Sequence, residues 1–170
     1  MHQEKSLAIL FADIAGSTKM YESLGDTLAR RKIAQCIDVM TDVTKENGGT
    51  LIKVIGDEVM CTFPDADTAS AAAVSMQERV SGALLTGGGS LGIHVGLHYG
   101  PVILEEGDVY GDAVNLASRM ANLAKRDQIL TTGATVTCLA PNWREQTRQV
   151  DRAAVRGKAE EIDVYEFVWQ

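Results

Sequence analysis

The sequence predicts an α+β fold in which helices cover a mostly antiparallel sheet. Three observations carry that prediction. Residues 49–63 read as two short apolar strands closed by a tight turn at Gly56-Asp57. Residues 93–99 alternate, with Ile93, Val95, Leu97 and Tyr99 on one face and His94, Gly96 and His98 on the other. Between the strands lie stretches whose apolar residues recur at helical spacing. Strands interleaved with helices, hairpins among them, make a layered α+β architecture.

The elements follow in order. Six apolar residues, Leu7 to Ala12, run into Asp13 and make a first strand over about Ser6–Asp13, after a polar lead-in. Gly16-Ser17-Thr18 opens a helix. Asp26 is placed to cap a longer one, whose Ile33, Cys36, Ile37, Met40 and Val43 keep the helical spacing until Asn47-Gly48-Gly49 ends it. The hairpin comes next, and Pro64-Asp65 breaks it. Asp67 is the expected cap of a third helix with a narrow alanine-rich face, Ala69, Ala72, Ala73, Met76, Val80 and Ala83. Gly87-Gly88-Gly89 reads as a flexible connection into the alternating strand. Gly100-Pro101 is expected to turn the chain into Val102–Leu104, and 105–108 to form a short polar loop. Asp112 is the expected cap of an amphipathic helix. Ala113, Leu116, Ala117 and Met120 face inward; Asn115, Ser118, Arg119 and Asn122 face out. A short strand at Gln128–Thr131, a less readable stretch to Val150 and a last alternating strand, Ile162–Val168, complete the chain.

Composition bounds the function. A chain of 170 residues favours one domain, here residues 1–170, and 45% hydrophobic with 23% charged residues suits a soluble globular protein. A net charge of −7 argues against a nucleic-acid surface, and Arg30-Arg31-Lys32 reads as a solvated helix face. Cys36, Cys61 and Cys138 are far apart in apolar contexts, which suits reduced thiols in a cytoplasmic protein rather than a disulfide or zinc framework. No apolar run approaches a membrane span, and no signal-peptide pattern opens the chain.

The chemistry-bearing residues are few. Asp13 and Asp57 are two strand-end carboxylates beside the small-residue loop Ile14-Ala15-Gly16-Ser17, which suits a paired divalent-metal site for phosphates. Lys53 puts a charge inside an apolar strand. Asn115 and Arg119, four apart, project from one side of their helix. Taken singly, each has an ordinary role: turn residue, helix-start cap, exposed lysine, solvated helix face. His94 and His98 share a strand face, which reads as a sheet face covered by a helix rather than a metal site.

Four blocks resemble the catalytic domain of class III nucleotidyl cyclases, the adenylate and guanylate cyclases. They are Leu10-Phe-Ala-Asp-Ile-Ala-Gly-Ser-Thr18, Lys53-Val-Ile-Gly-Asp57, Asp108-Val-Tyr-Gly-Asp-Ala-Val-Asn-Leu-Ala-Ser-Arg-Met120 and Arg156-Gly-Lys158. Their order and spacing match the family over nearly the whole chain. The resemblance implies a ferredoxin-like βαββαβ core with extra C-terminal elements. It implies two divalent ions, Mg2+ or Mn2+, on Asp13 and Asp57, and Lys53 with Asp108 reading adenine. Asn115 and Arg119 would orient the ribose and stabilise the transition state, and Lys158 would contact terminal phosphates. The backbone N–H groups of Ile14, Ala15, Gly16 and Ser17 are placed to cradle β- and γ-oxygens. Active sites would form between head-to-tail protomers of a homodimer, with Asp13 and Asp57 of one chain working with Lys53, Asp108, Asn115, Arg119 and Lys158 of the other.

Lys53 only donates and ionised Asp108 only accepts, which complements adenine and not guanine, so ATP is the expected substrate over GTP. A catalytically silent dimerisation or signalling module is the alternative of a different class. It would be marked by loss of a metal aspartate or of the Asn/Arg pair, and all are present here. A diguanylate cyclase, prompted by Gly56-Asp57-Glu58, fails because Ile55 stands where that family has a second glycine.

Overall fold

In the computed structural model, which describes residues 2–83, 91–154 and 161–170, the sheet is organised around one long first strand. This strand, β1, spans His2–Ala15 rather than the expected Ser6–Asp13. The polar lead-in joins it because residues 2–5 pair antiparallel with residues 102–105. Backbone pairing there needs no apolar pattern. Helices α1 (Ser17–Leu24) and α2 (Asp26–Glu46) follow, then the hairpin β2 (Thr50–Ile55) and β3 (Glu58–Phe63), and α3 (Ala66–Ala83). Strand β4 (Gly92–Glu105) runs straight through Gly100-Pro101, where the sequence predicts a turn. At Pro101 its partner is Ser6 of β1, while the pairings on its other side involve only residues 95–97 and 103–105. A missing N–H is tolerated in that gap. The expected 105–108 loop closes as a tight hairpin, because Asp108 already starts β5 (Asp108–Tyr110) opposite Glu105. Helix α4 (Asp112–Leu123), β6 (Ile129–Thr132), the short α5 (Gly133–Val136) and α6 (Pro141–Arg144), β7 (Thr147–Ala154) and β8 (Glu161–Phe167) complete the chain.

The strand order is β2-β3-β1-β4-β6-β8-β7, with β5 pairing β4. Its first half, β2-β3-β1-β4, is fully antiparallel, with α2 and α3 as the connections, which is the expected ferredoxin-like βαββαβ core. The remaining strands extend it, and β4 and β6 are parallel with α4 as their crossover. On one face Leu10, Val59, Phe63, Val95 and Leu97 pack with Met40 and Val43 of α2 and Ala69, Ala72, Ala73 and Met76 of α3. Each large side chain fully buried there contributes roughly 1.5–3 kcal/mol. On the other face Leu7, Ile9, Phe11, Met60 and Val102 meet Ala113, Ala117 and Ala121 of α4. Gly96 sets that approach: a Cβ there would fall on backbone atoms of Met120 and Ala121.

Three caps differ from expectation. Gly25 and Gly111 occupy the N-cap positions of α2 and α4. Asp26 and Asp112 fall in the first turns instead, where a carboxylate still faces the positive helix end. At α3 the cap is Asp65, whose Oδ1 accepts from the Thr68 N–H at 2.7 Å. Asp67 Oδ1 instead accepts from the Ala140 N–H at 2.9 Å, tying α3 to the loop before α6. The expected connection at Gly87–Gly89 and the block Arg156–Lys158 lie outside the described residues.

Candidate active site

Asp13 lies on the α4 side of β1, in the row of Leu7, Ile9 and Phe11. Antiparallel register sets Glu58 of β3 opposite it on one side and His94 of β4 opposite it on the other. The β2–β3 turn is drawn to the same end of the sheet, because the Ile14 N–H donates to the Asp57 carbonyl at 3.2 Å. Gly56 makes that turn at φ +61°, a left-handed conformation that glycine adopts without cost. Asp13 and Asp57 are thus brought to one edge of the sheet. The same hydrogen bond takes the Ile14 amide out of the expected phosphate cradle. Ala15 is the last residue of β1, and Gly16 and Ser17 stand at the start of α1.

Charge at this edge is dense. Burial, then the Asp13 charge, then that of Asp57, push the Glu58 carboxyl above the ordinary range, and only His94 opposes them. His94 Nε2 lies 3.3 Å from Asp13 Oδ2. Its Nδ1 lies 2.8 Å from the Ala121 carbonyl of α4, which only accepts, so Nδ1 is the donor. The contact with Asp13 is the chief reason that the His94 pKa is raised. Among the described residues no three His, Cys, Asp or Glu side chains converge as a self-sufficient metal site. The oxygen donors Asp13 and Asp57, with Glu58 crowded against them, do fit hard divalent ions that take one or two carboxylates from the protein and the rest from phosphates and water.

A second grouping lies across β2 and β5. A register shift between Leu51 and Lys53 sets Lys53 opposite Met60. From there Lys53 Nζ reaches Asp108 Oδ2 at 2.8 Å, although 55 residues separate the two. Asp108 Oδ1 accepts from the Val109 N–H at 2.7 Å. Lys53, then this N–H, hold the Asp108 carboxyl below its usual range. One donor and one acceptor are therefore held side by side. Asn115 and Arg119 are exposed on α4, one turn apart, while Ala113, Ala117 and Ala121 bury its other side. Among the described residues neither bonds to Asp13 or Asp57. Lys158 lies outside the described residues.

His94 is the residue whose contact sequence reasoning missed. Its face is covered by a helix, as expected, yet the ring also meets Asp13. The signal was the pairing of β1 with β4, which alternation within one strand does not reveal.

Comparison with known proteins agrees with this fold. The model of the adenylate and guanylate cyclase catalytic domain matches residues 1–168. An adenylate cyclase of Anabaena cylindrica is 33% identical over 95% of this chain and 36% of its own. The chain spans about a third of the length of curated relatives it matches. Among solved structures, the adenylyl cyclase CyaB from P. aeruginosa superposes with a TM-score of 0.85 at 23% identity, over 99% of this chain and 96% of its own. The catalytic core of a rhodopsin-guanylyl cyclase with converted specificity, in complex with ATPαS, gives a TM-score of 0.87 at 25% identity, over 98% of each chain. The two-sided sheet, the carboxylate edge and the Lys53–Asp108 pair thus sit in a chain that belongs to the adenylate and guanylate cyclase catalytic-domain family.

Proposed function

We propose that residues 1–170 form one adenylate cyclase catalytic domain, which converts ATP to 3′,5′-cyclic AMP and pyrophosphate at sites shared by two head-to-tail protomers. The observation that carries the choice of base is the Lys53–Asp108 pair, a donor and an acceptor 2.8 Å apart. Adenine offers an acceptor at N1 and a donor at its exocyclic amine, and matches both. Guanine inverts both, leaving two groups mispaired at about 1–3 kcal/mol each. The adenylate cyclase relatives and the neighbour holding ATPαS support the same reading.

The reaction breaks one P–O bond and forms another. The ribose 3′ hydroxyl gives up its proton, its oxygen bonds to the α-phosphorus, and pyrophosphate leaves. Two divalent ions, Mg2+ or Mn2+, bound at Asp13 and Asp57 would lower the pKa of that hydroxyl and neutralise triphosphate charge. Arg119, planar and permanently charged, faces the charge that builds on the α-phosphate, and Asn115 orients the ribose. The amides at Gly16 and Ser17 face the β- and γ-oxygens without adding charge, and Lys158 meets the terminal phosphates. Within one chain neither Asn115 nor Arg119 bonds to Asp13 or Asp57, which supports a partner protomer completing each site. Among the described residues no helix is long and apolar enough to cross a membrane. The ATP substrate proposed here supports a cytoplasmic location for the domain.

The test is product formation from ATP and from GTP with Mn2+. Cyclic AMP in excess supports the reading. Preference for GTP overturns the roles of Lys53 and Asp108, and no product from folded, dimeric protein favours a silent signalling module.

A further inference from the structure

We propose that His94 is a positioning residue: its ring fixes the Asp13 carboxylate against the backbone of α4. The inference rests on the metal-holding role given to Asp13 above. Three observations support it. The register sets His94 directly opposite Asp13. The ring makes two contacts on opposite sides, Nδ1 to the Ala121 carbonyl at 2.8 Å and Nε2 to Asp13 Oδ2 at 3.3 Å. Gly96, two residues on, lets the α4 backbone come close enough for the Ala121 carbonyl to reach the ring.

The consequence is geometric. Asp13 lies two residues before the end of β1, and a lone carboxylate there would sample several rotamers. Held at Oδ2, it keeps one orientation, which a bound ion then finds ready-made. Groups that orient a metal-binding side chain in this way typically change metal affinity about 10–100-fold when removed. The same ring ties Asp13 to the helix that carries Asn115 and Arg119, so the parts one protomer gives to two different sites share a rigid joint.

The experiment is Mn2+ binding to the full chain without nucleotide, read from the loss of the free-ion electron paramagnetic resonance signal. The variants are His94→Ala, Asp13→Asn and the double substitution, with circular dichroism reporting the fold. The expected result is a loss of Mn2+ affinity of about 10–100-fold in His94→Ala. The double variant should be no weaker than Asp13→Asn alone, because His94 acts through Asp13. Should His94→Ala not fold, His94→Gln replaces two opposed ring nitrogens by one amide nitrogen and is expected to weaken binding in the same way. Unchanged or tighter binding in a folded His94 variant, or fully additive losses in the double variant, overturns the positioning role. Mn2+ binding that is absent from the wild type overturns the ready-made site, and binding that Asp13→Asn leaves unchanged overturns the metal-holding role of Asp13 instead.

Discussion

Replacing Gly96 by alanine sets a methyl group on the path of the α4 backbone. A Cβ at this position would overlap Ala121 N and lie 2.5 Å from the Met120 carbonyl carbon and 2.6 Å from Ala121 Cα. Comfortable contact between such atoms is about 3.5–4.0 Å. All three neighbours are backbone, so no side chain can rotate aside, and α4 must move outward by at least about 1.5 Å to restore contact distance. Overpacking of this kind costs about 1–3 kcal/mol. For a chain of this size each kcal/mol lowers Tm by about 2–4 °C, which gives a fall of roughly 2–12 °C. Activity should suffer more than stability. Helix α4 carries Asn115 and Arg119, and a displacement of about 1 Å at a catalytic group can cost about 100-fold in rate. Thermal unfolding followed by circular dichroism, with turnover measured well below both midpoints, separates the two effects. A Gly96→Ala protein with unchanged Tm and turnover would refute the close approach of α4 to β4 and the dependence of the site on it.

Lys53→Ala should leave stability within about 1 kcal/mol, since the Lys53–Asp108 pair is largely exposed. It should lower the preference for ATP over GTP by about 5–150-fold, the equivalent of 1–3 kcal/mol, which rates on the two substrates measure. Asp108 titrates below its usual range in the folded protein. Its stabilising contribution is therefore present above the ordinary aspartate pKa and is lost as pH falls through the lower folded value. Asp108→Asn should flatten that acid limb in urea melts taken along a pH series. Burial holds the Cys36 and Cys61 thiols at a pKa of about 12, whereas Cys138 is exposed. Iodoacetamide should modify Cys138 first in the folded protein, with Cys36 and Cys61 reacting only after unfolding, as mass spectrometry would show.

The local patterns were legible in the sequence. Apolar runs ending in Asp13, the hairpin turn at Gly56-Asp57 and the apolar stripe of α4 each lie within about a dozen residues, where spacing alone sets the face. The fold class followed from their order. What depends on pairing between distant segments was not legible. Residues 3–5 carry no strand pattern of their own, and only β4 draws them into the sheet. Pro101 reads as a breaker until the gap beside β4 is known. The caps of α2 and α4 fell one residue off because Gly25 and Gly111 precede carboxylates that suit either position. In the site, the Lys53–Asp108 pairing came from the family resemblance, and the structure supplies its distance. The His94–Asp13 contact and the use of the Ile14 amide by Asp57 needed the three-strand register.

The central claim is that each active site is built from two protomers, and mixing two inactive variants tests it most directly. Asp57→Ala and Arg119→Ala should each form little cyclic AMP from ATP with Mn2+. In a heterodimer of the two, one site keeps Asp57 from one chain and Arg119 from the other, while the second site loses both. An equal mixture should therefore recover about a quarter of wild-type activity, half of the dimers being mixed and each having one intact site. The recovery should rise with protein concentration. A mixture that stays as inactive as its components, although the chains exchange and dimerise, would contradict the shared site.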